Sequence, residues 1–188
     1  MAPQTATRLT YEEFMALPEE EGKHYELIQG ELVVNPAPVP RHQWIIGNLY
    51  YAFRTYFESH GGGRAYLSPV DVVLSSENVL EPDVVVLLAD RMTLVGPKNL
   101  QGPPNIAIEV LSDGSRRKDE VTKRRLYERF GIDEYWIADP ETETVKIYRR
   151  AGDVFDRAIE ISTDTGGTIT SPLLAGFALD VTNVFADS

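Results

Sequence analysis

The sequence contains no cysteine. That excludes disulfides, thiolate zinc sites and cysteine nucleophiles. It fits a reducing compartment, and the expected location is the cytoplasm. Histidine is scarce, with three residues in 188, which disfavours a histidine-built zinc centre. No apolar run approaches the roughly 20 residues that a membrane span needs. The opening MAPQTATRLTYEEF lacks the apolar core of a signal peptide. A soluble protein with no membrane partner is therefore expected. Positive charge is also short: 18 Lys and Arg stand against 29 Asp and Glu, a formal net charge of −11. Broad nucleic-acid binding runs on phosphate neutralisation. Any nucleic-acid partner must therefore meet a local basic surface.

What is present is ordinary for a folded chain, 43% hydrophobic and 25% charged. The length suggests one domain over residues 1–188. Thr10 and Glu13 form a capping box that opens a short helix ending near Pro18. Glu19 to Gly22 read as an acidic turn. His24–Ile28 and Glu31–Val34 flank Gln29-Gly30 as a hairpin. Three prolines within 35–40 break regular structure. A long helix is predicted over 41–60, because Ile45, Leu49, Ala52, Phe53, Tyr56 and Phe57 recur at helical spacing. Ala65–Leu74 reads as one strand. Asp83–Leu88 and Asn105–Leu111 are apolar runs typical of strands covered on both faces. Ser112–Ser115 is a turn, and Arg116–Phe130 a second helix stopped by Gly131. Strands are expected at 134–138 and 144–149, with a weaker one over 154–161. Residues 171–185 look extended. The order predicts an α/β fold with a central mixed β-sheet flanked by helices.

Two acids interrupt apolar segments. Asp83 opens the run Val84–Leu88, and Glu109 sits within Ile106–Leu111. A carboxylate in a buried strand is costly unless something pairs with it. Two on neighbouring strands suggest a shared hard cation, Mg²⁺ or Mn²⁺. Taken singly, Glu109 also reads as a salt-bridged residue at a sheet margin, and Asp83 as strand-entry punctuation. On helix 116–130 the stripe Leu126, Tyr127, Phe130 extends backwards to Lys123 and Asp119. Lys123 therefore points inward, where it needs a carboxylate or an anionic ligand. Arg116, Arg117, Lys118 and Arg124 make this the densest basic stretch of an acidic chain. It is the candidate nucleic-acid surface, and a solvated basic helix is the plain alternative. Phosphodiester hydrolysis uses all three features: acids for a cation, a nearby amine and a basic surface.

These residues carry a resemblance. Pro82-Asp83 followed by Glu109 in Ile-Glu-Val-Leu-Ser resembles the PD-(D/E)XK nuclease superfamily, and the chain is similar to its Uma-type family of restriction-endonuclease-like proteins. The matching stretches are Tyr25–Leu32, Pro40-Arg41-His42, Val70-Asp71-Val72, Pro82-Asp83, Glu109–Ser112, Asp119 with Lys123 and Tyr127, Glu134–Pro140 and Ser171–Leu174. They cover about 8–185, nearly the whole chain. The resemblance implies a restriction-endonuclease-like core. It makes Asp83 and Glu109 the metal carboxylates, with the Val110 carbonyl as a third ligand and Glu26 as an acid from the N-terminal part of the site. The superfamily's lysine usually stands two residues after the second acid. Here that position is Leu111, and Lys123 supplies the amine from the helix. Asp119 and Tyr127 would support it. His42 is a weaker candidate for phosphate contact. Related folds form dimers, and the aromatic-rich helix 41–60 offers a homodimer surface. The expected partner is DNA rather than RNA. Two other readings stand beside the nuclease: a noncatalytic binding or oligomeric module that keeps a degenerate nuclease fold, and a two-carboxylate glycosidase.

Overall fold

A computed structural model describes residues 8–18, 23–35, 37–112 and 114–187. The predicted acidic turn 19–22 lies outside them, as do single positions in the proline-rich break and in the turn 112–115. Helix α1 (Tyr11–Met15) has the expected capping box: the Glu13 amide donates to Thr10, and the Thr10 amide to the Glu13 carboxylate. The hairpin β1 (His24–Ile28) and β2 (Glu31–Asn35) turns through Gln29 and Gly30, both at positive φ. Helix α2 (Pro40–His60) starts on Pro40, whose fixed φ suits a first helical turn.

The predicted strand 65–74 is two strands in two different sheets. β3 (Gly63–Leu67) pairs with β6 (Val84–Leu88), whereas β4 (Val72–Ser75) pairs with β5 (Asn78–Leu80). Pro69 has no N–H to give a ladder, so one continuous strand cannot run through it. β5 was hidden because its three residues fall below any periodic signal. A 3₁₀ turn (Ala89–Leu94) leads on to β7 (Ile106–Val110). The predicted helix 116–130 is helical, but its first part is a π-helical turn (Lys118–Lys123) that runs into α3 (Arg124–Arg129). β8 (Glu134–Asp139) and β9 (Thr144–Ala151) follow as expected. The weak strand 154–161 divides into β10 (Val154–Phe155) and β11 (Ile159–Ser162), both antiparallel to β9. The extended finish expected over 171–185 is corrected. After β12 (Thr168–Ile169), β13 (Leu179–Asp180) gives way to α4 (Val181–Phe185). Asp180 caps it by accepting from the Thr182 amide at 2.9 Å, and Val181, Val184 and Phe185 turn one face inward.

The main sheet runs β10-β9-β8-β7-β6-β3, with β7 and β8 parallel and its other pairs antiparallel. The expected α/β fold with a central mixed sheet is therefore present. The smaller sheet runs β2-β1-β5-β4. Strand alternation sends Ile106, Ile108 and Val110 to one core, where Ile45, Leu49 and Phe53 of α2 pack with Trp136. It sends Ala107 and Leu111 to the other, with Leu126, Tyr127 and Tyr135. Each such large apolar side chain contributes roughly 1.5–3 kcal/mol when fully buried. Glu109 shares the second face, so it is directed at the helix that carries Lys123. Among the described residues, no helix is long and apolar enough to cross a membrane.

Candidate active site

The register of β6 on β7 sets Val84 against Ile108. Asp83, one residue earlier on the antiparallel strand, therefore falls beside the end of β7. Its Oδ2 accepts the Val110 amide at 2.7 Å. Glu109 leaves β7 on the face that it shares with Ala107 and Leu111. Its Oε1 receives Lys123 Nζ at 2.9 Å and the Tyr127 hydroxyl at 2.8 Å. Glu26, on β1 of the smaller sheet, is fully buried and reaches the same ammonium at 2.8 Å. Asp119 lies 3.6 Å from it. Lys123 thus ties the helix to both sheets. The inward stripe foreseen from sequence survives the π-helical turn: Asp119 and Lys123 are buried, with 1% and 3% exposure. A widened turn of this kind often marks a functional position.

Two residues of this network were not foreseen as site residues from the sequence. Asn35 lies directly across from His24 in the hairpin, donates to Glu26 at 2.9 Å and accepts from Lys118. The Glu81 amide donates to Glu26 at 2.9 Å, and its carboxylate meets His24 at 3.2 Å. The hairpin register was the available signal for Asn35. Nothing short of the fold brings Glu81 to Glu26.

His42 faces the acids. Its Nε2 lies 2.8 Å from the Val110 carbonyl and 3.5 Å from Asp83. A carbonyl oxygen only accepts, so Nε2 carries the proton. Of the four basic residues singled out, Arg116 and Lys118 line the cleft, whereas Arg117 and Arg124 lie outside its lining. Arg116 forks onto Asp139 at 2.6 and 3.0 Å. Arg124 lies over the Tyr148 ring at 5.4 Å. The basic run therefore divides between the cleft wall and the far side of the helix.

The cleft itself encloses about 800 Å³ and takes in Asp83, Glu109, Asp119 and Lys123 at its floor. Burial pushes Asp83 up to about 6, although nearby His42 favours its charged form. Burial also raises Glu109 well above the usual carboxylate range, and Asp119 above its ordinary value, in spite of Lys123. Burial alone would raise Glu26 too, but Lys123 and the surrounding donors outweigh it and hold this acid low. Lys123 is the converse. Burial would lower it, yet Glu109, Glu26 and Asp119 keep it protonated far into alkaline pH. Three carboxylates of this floor, with the buried Glu26 behind them, surround the ammonium groups of Lys123 and Lys118. Negative charge is in surplus, and three of the four acids, Asp83, Glu109 and Asp119, have their proton affinity raised, chiefly by burial.

A family model, Uma2, described as "Putative restriction endonuclease", matches residues 11–182. The chain belongs to the Uma2 family. A solved structure, described as a putative nuclease belonging to DUF820 from Anabaena variabilis, superposes with a TM-score of 0.79. It shares 20% identity, with 94% of this chain and 97% of that chain covered. At that identity the likeness speaks for the fold, a nuclease-like one. No curated protein matches the chain.

Proposed function

We propose that this Uma2 chain is a divalent-cation-dependent endonuclease that hydrolyses phosphodiester bonds, in DNA rather than RNA. The carrying observation is the pairing of Asp83 and Glu109 at adjacent strand ends on the floor of one cleft, with a buried lysine on the second acid. The family description supports a nuclease and speaks for DNA.

A cation must fit the residues present. Among the described residues, no three His, Asp or Glu side chains form a ready-made cage. The donors that suit one are the two carboxylates and the Val110 carbonyl, all hard oxygens. Mg²⁺ and Mn²⁺ accept such partial sets and keep waters in their remaining positions. The carbonyl has a second lone pair beside the one used by His42. The Asp119 Oδ1 atom is buried without a hydrogen-bond partner, and it lines the same cleft as Asp83 and Glu109. The donor set therefore fits. A bound cation would supply a lowered water pKa and charge neutralisation at the phosphoryl oxygens.

The chain's own residues divide the remaining work. Asp83 fixes the end of β7 through the Val110 amide, and His42 fixes the carbonyl of the same residue. Tyr127 and Lys123 hold Glu109 in one rotamer. Lys123 keeps its proton, so it acts as fixed positive charge rather than as a base. It takes the place of the amine missing at Leu111. Arg116 and Lys118 stand on the cleft wall within reach of an anionic backbone. Among the described residues the wall carries no Phe, Tyr or Trp, so they offer no aromatic platform for unpaired bases. That supports a duplex substrate.

A second reading keeps the fold without turnover. It is favoured by Leu111 and by the three carboxylates that already engage Lys123. The discriminating experiment offers labelled duplex and single-stranded DNA of one sequence, with Mg²⁺, with Mn²⁺ and with chelator. The nuclease reading expects duplex cleavage only with a cation. Cleavage undiminished in chelator contradicts it, and no cleavage under any condition supports the second reading.

A further inference from the structure

A second cavity lies at the other end of the smaller sheet, where two tight turns meet the end of α3. It encloses about 470 Å³ and is lined by Arg8, Gln29, Ser75 and Ser76, Glu77, Asn78, Arg129 and Phe130. Its rim is rich in donors. The Ser75 hydroxyl oxygen already accepts from the Asn78 amide at 2.8 Å and the Glu77 N–H at 3.3 Å. Its own proton is therefore left to point elsewhere. Most other arginines with partners in this acidic protein meet carboxylates: Arg41, Arg54, Arg91, Arg116 and Arg149 all do. Arg8 and Arg129 meet none among the described residues, and Glu77, the one acid on the rim, forms no ion pair with either.

The backbone is shaped to hold these groups. Gly30 sits at φ +80°, and a Cβ there would fall 2.8 Å from the Arg8 Cβ and 3.1 Å from its Cγ. The Arg8 stem occupies the space that only a glycine leaves. Gln29 also has positive φ, 54°, which is uncommon for a residue other than Gly, Asn or Asp. Its N–H is held by the Asn78 side chain at 3.0 Å. The Arg129 guanidinium lies over the Phe130 ring at 5.5 Å, which orients its plane. Two arginines, one held by its stem and one by its guanidinium, with two hydroxyls and an amide around one small space, suit a tetrahedral oxyanion.

We propose that this cavity is a phosphoryl-binding subsite separate from the cleft. It is about 10 Å from Glu26 along β1, at about 3.3 Å per residue. Its occupant is free phosphate or, if the nuclease reading holds, a backbone phosphate of the nucleic acid. The test titrates the full chain with inorganic phosphate at constant ionic strength and follows the Gln29 and Gly30 amides and the arginine Nε–H signals by NMR. Saturable shifts confined to these groups are expected. Arg8→Ala and Arg129→Ala should each weaken binding by roughly tenfold, while Arg157→Ala leaves it unchanged. Arg129→Lys, which keeps charge but not the fork, should recover only part, and melting curves verify that each variant is folded. No saturable shift, or binding indifferent to both arginines, overturns the subsite. A parallel titration with a short DNA duplex separates the sources. Weaker duplex binding by the two alanine variants assigns the site to a nucleic-acid phosphate, and unchanged duplex binding beside lost phosphate binding assigns it to the free anion. Neither titration depends on cleavage, so the subsite stands or falls apart from the activity of the cleft.

Discussion

Replacing Lys123 with methionine removes the one ammonium that joins Glu26, Glu109 and Asp119. Methionine keeps most of the stem volume, so packing changes little. The two ends are not equally exposed to the loss. Glu26 retains Asn35 and the Glu81 amide, each at 2.9 Å, and Lys118 at 3.5 Å. Glu109 retains the Tyr127 hydroxyl at 2.8 Å. The penalty therefore falls chiefly on Glu109, a carboxylate 4% exposed. Breaking a buried pair from one side costs about 3–5 kcal/mol. With a urea slope of roughly 2 kcal/mol/M, the unfolding midpoint should drop by about 1.5–2.5 M without a change of slope. Two further results follow from the same charge account. Adding Glu109→Gln to Lys123→Met should restore about half of the loss, because the stranded charge is gone. Lowering the pH to about 5 should narrow the gap to wild type, because Glu109 takes up a proton more readily once Lys123 is absent. A loss below about 1 kcal/mol at neutral pH, or a gap that does not narrow in acid, would refute the reasoning.

The remaining expectations rest on neighbouring contacts. Burial pushes Glu81 up to about 7 and Asp83 up to about 6. A raised carboxylate stabilises the fold below its unfolded pKa and loses that contribution as pH climbs through the folded one. Stability against urea should therefore fall between about pH 4 and 7, by on the order of 3 kcal/mol per group, and Glu81→Gln should flatten the fall. Tyr127→Phe removes a donor from the buried Glu109 and should cost about 1–3 kcal/mol; a loss within error would mean that Glu109 finds another partner. Arg116→Ala unpairs Asp139, 3% exposed, and should destabilise by about 1–2 kcal/mol. Lysine at the same position should restore only part, since it cannot reproduce the fork.

Much of this site was readable because it follows short-range periodicity. The period-2 alternation of Ile106–Leu111 assigned Glu109 to the face away from Ile108, and the i, i+4 spacing of Asp119, Lys123 and Tyr127 gave a common inward stripe. Both are local rules, and the π-helical turn widened that stripe without rotating it outward. What escaped depends on pairing between distant strands. The break at Pro69 and the three-residue β5 decide that β4 belongs to the smaller sheet. That sheet is what carries Glu26, Asn35 and Glu81 to Lys123. No window of sequence contains that meeting. The outward side of the basic run has a related dependence: Arg124 has a neighbour, Tyr148, that only the β8–β9 pairing supplies. The extended reading of 171–185 failed where a five-residue helix capped by Asp180 was too short to show a period.

The account turns on Asp83 and Glu109 acting together in the cleft. The most direct measurement is the nicking of supercoiled plasmid in Mn²⁺ over time, with wild type, Asp83→Asn and Glu109→Gln run side by side and their folds verified by melting. The account expects nicking by the wild type and none by either variant. Wild-type nicking that both folded variants reproduce at the same rate would contradict it.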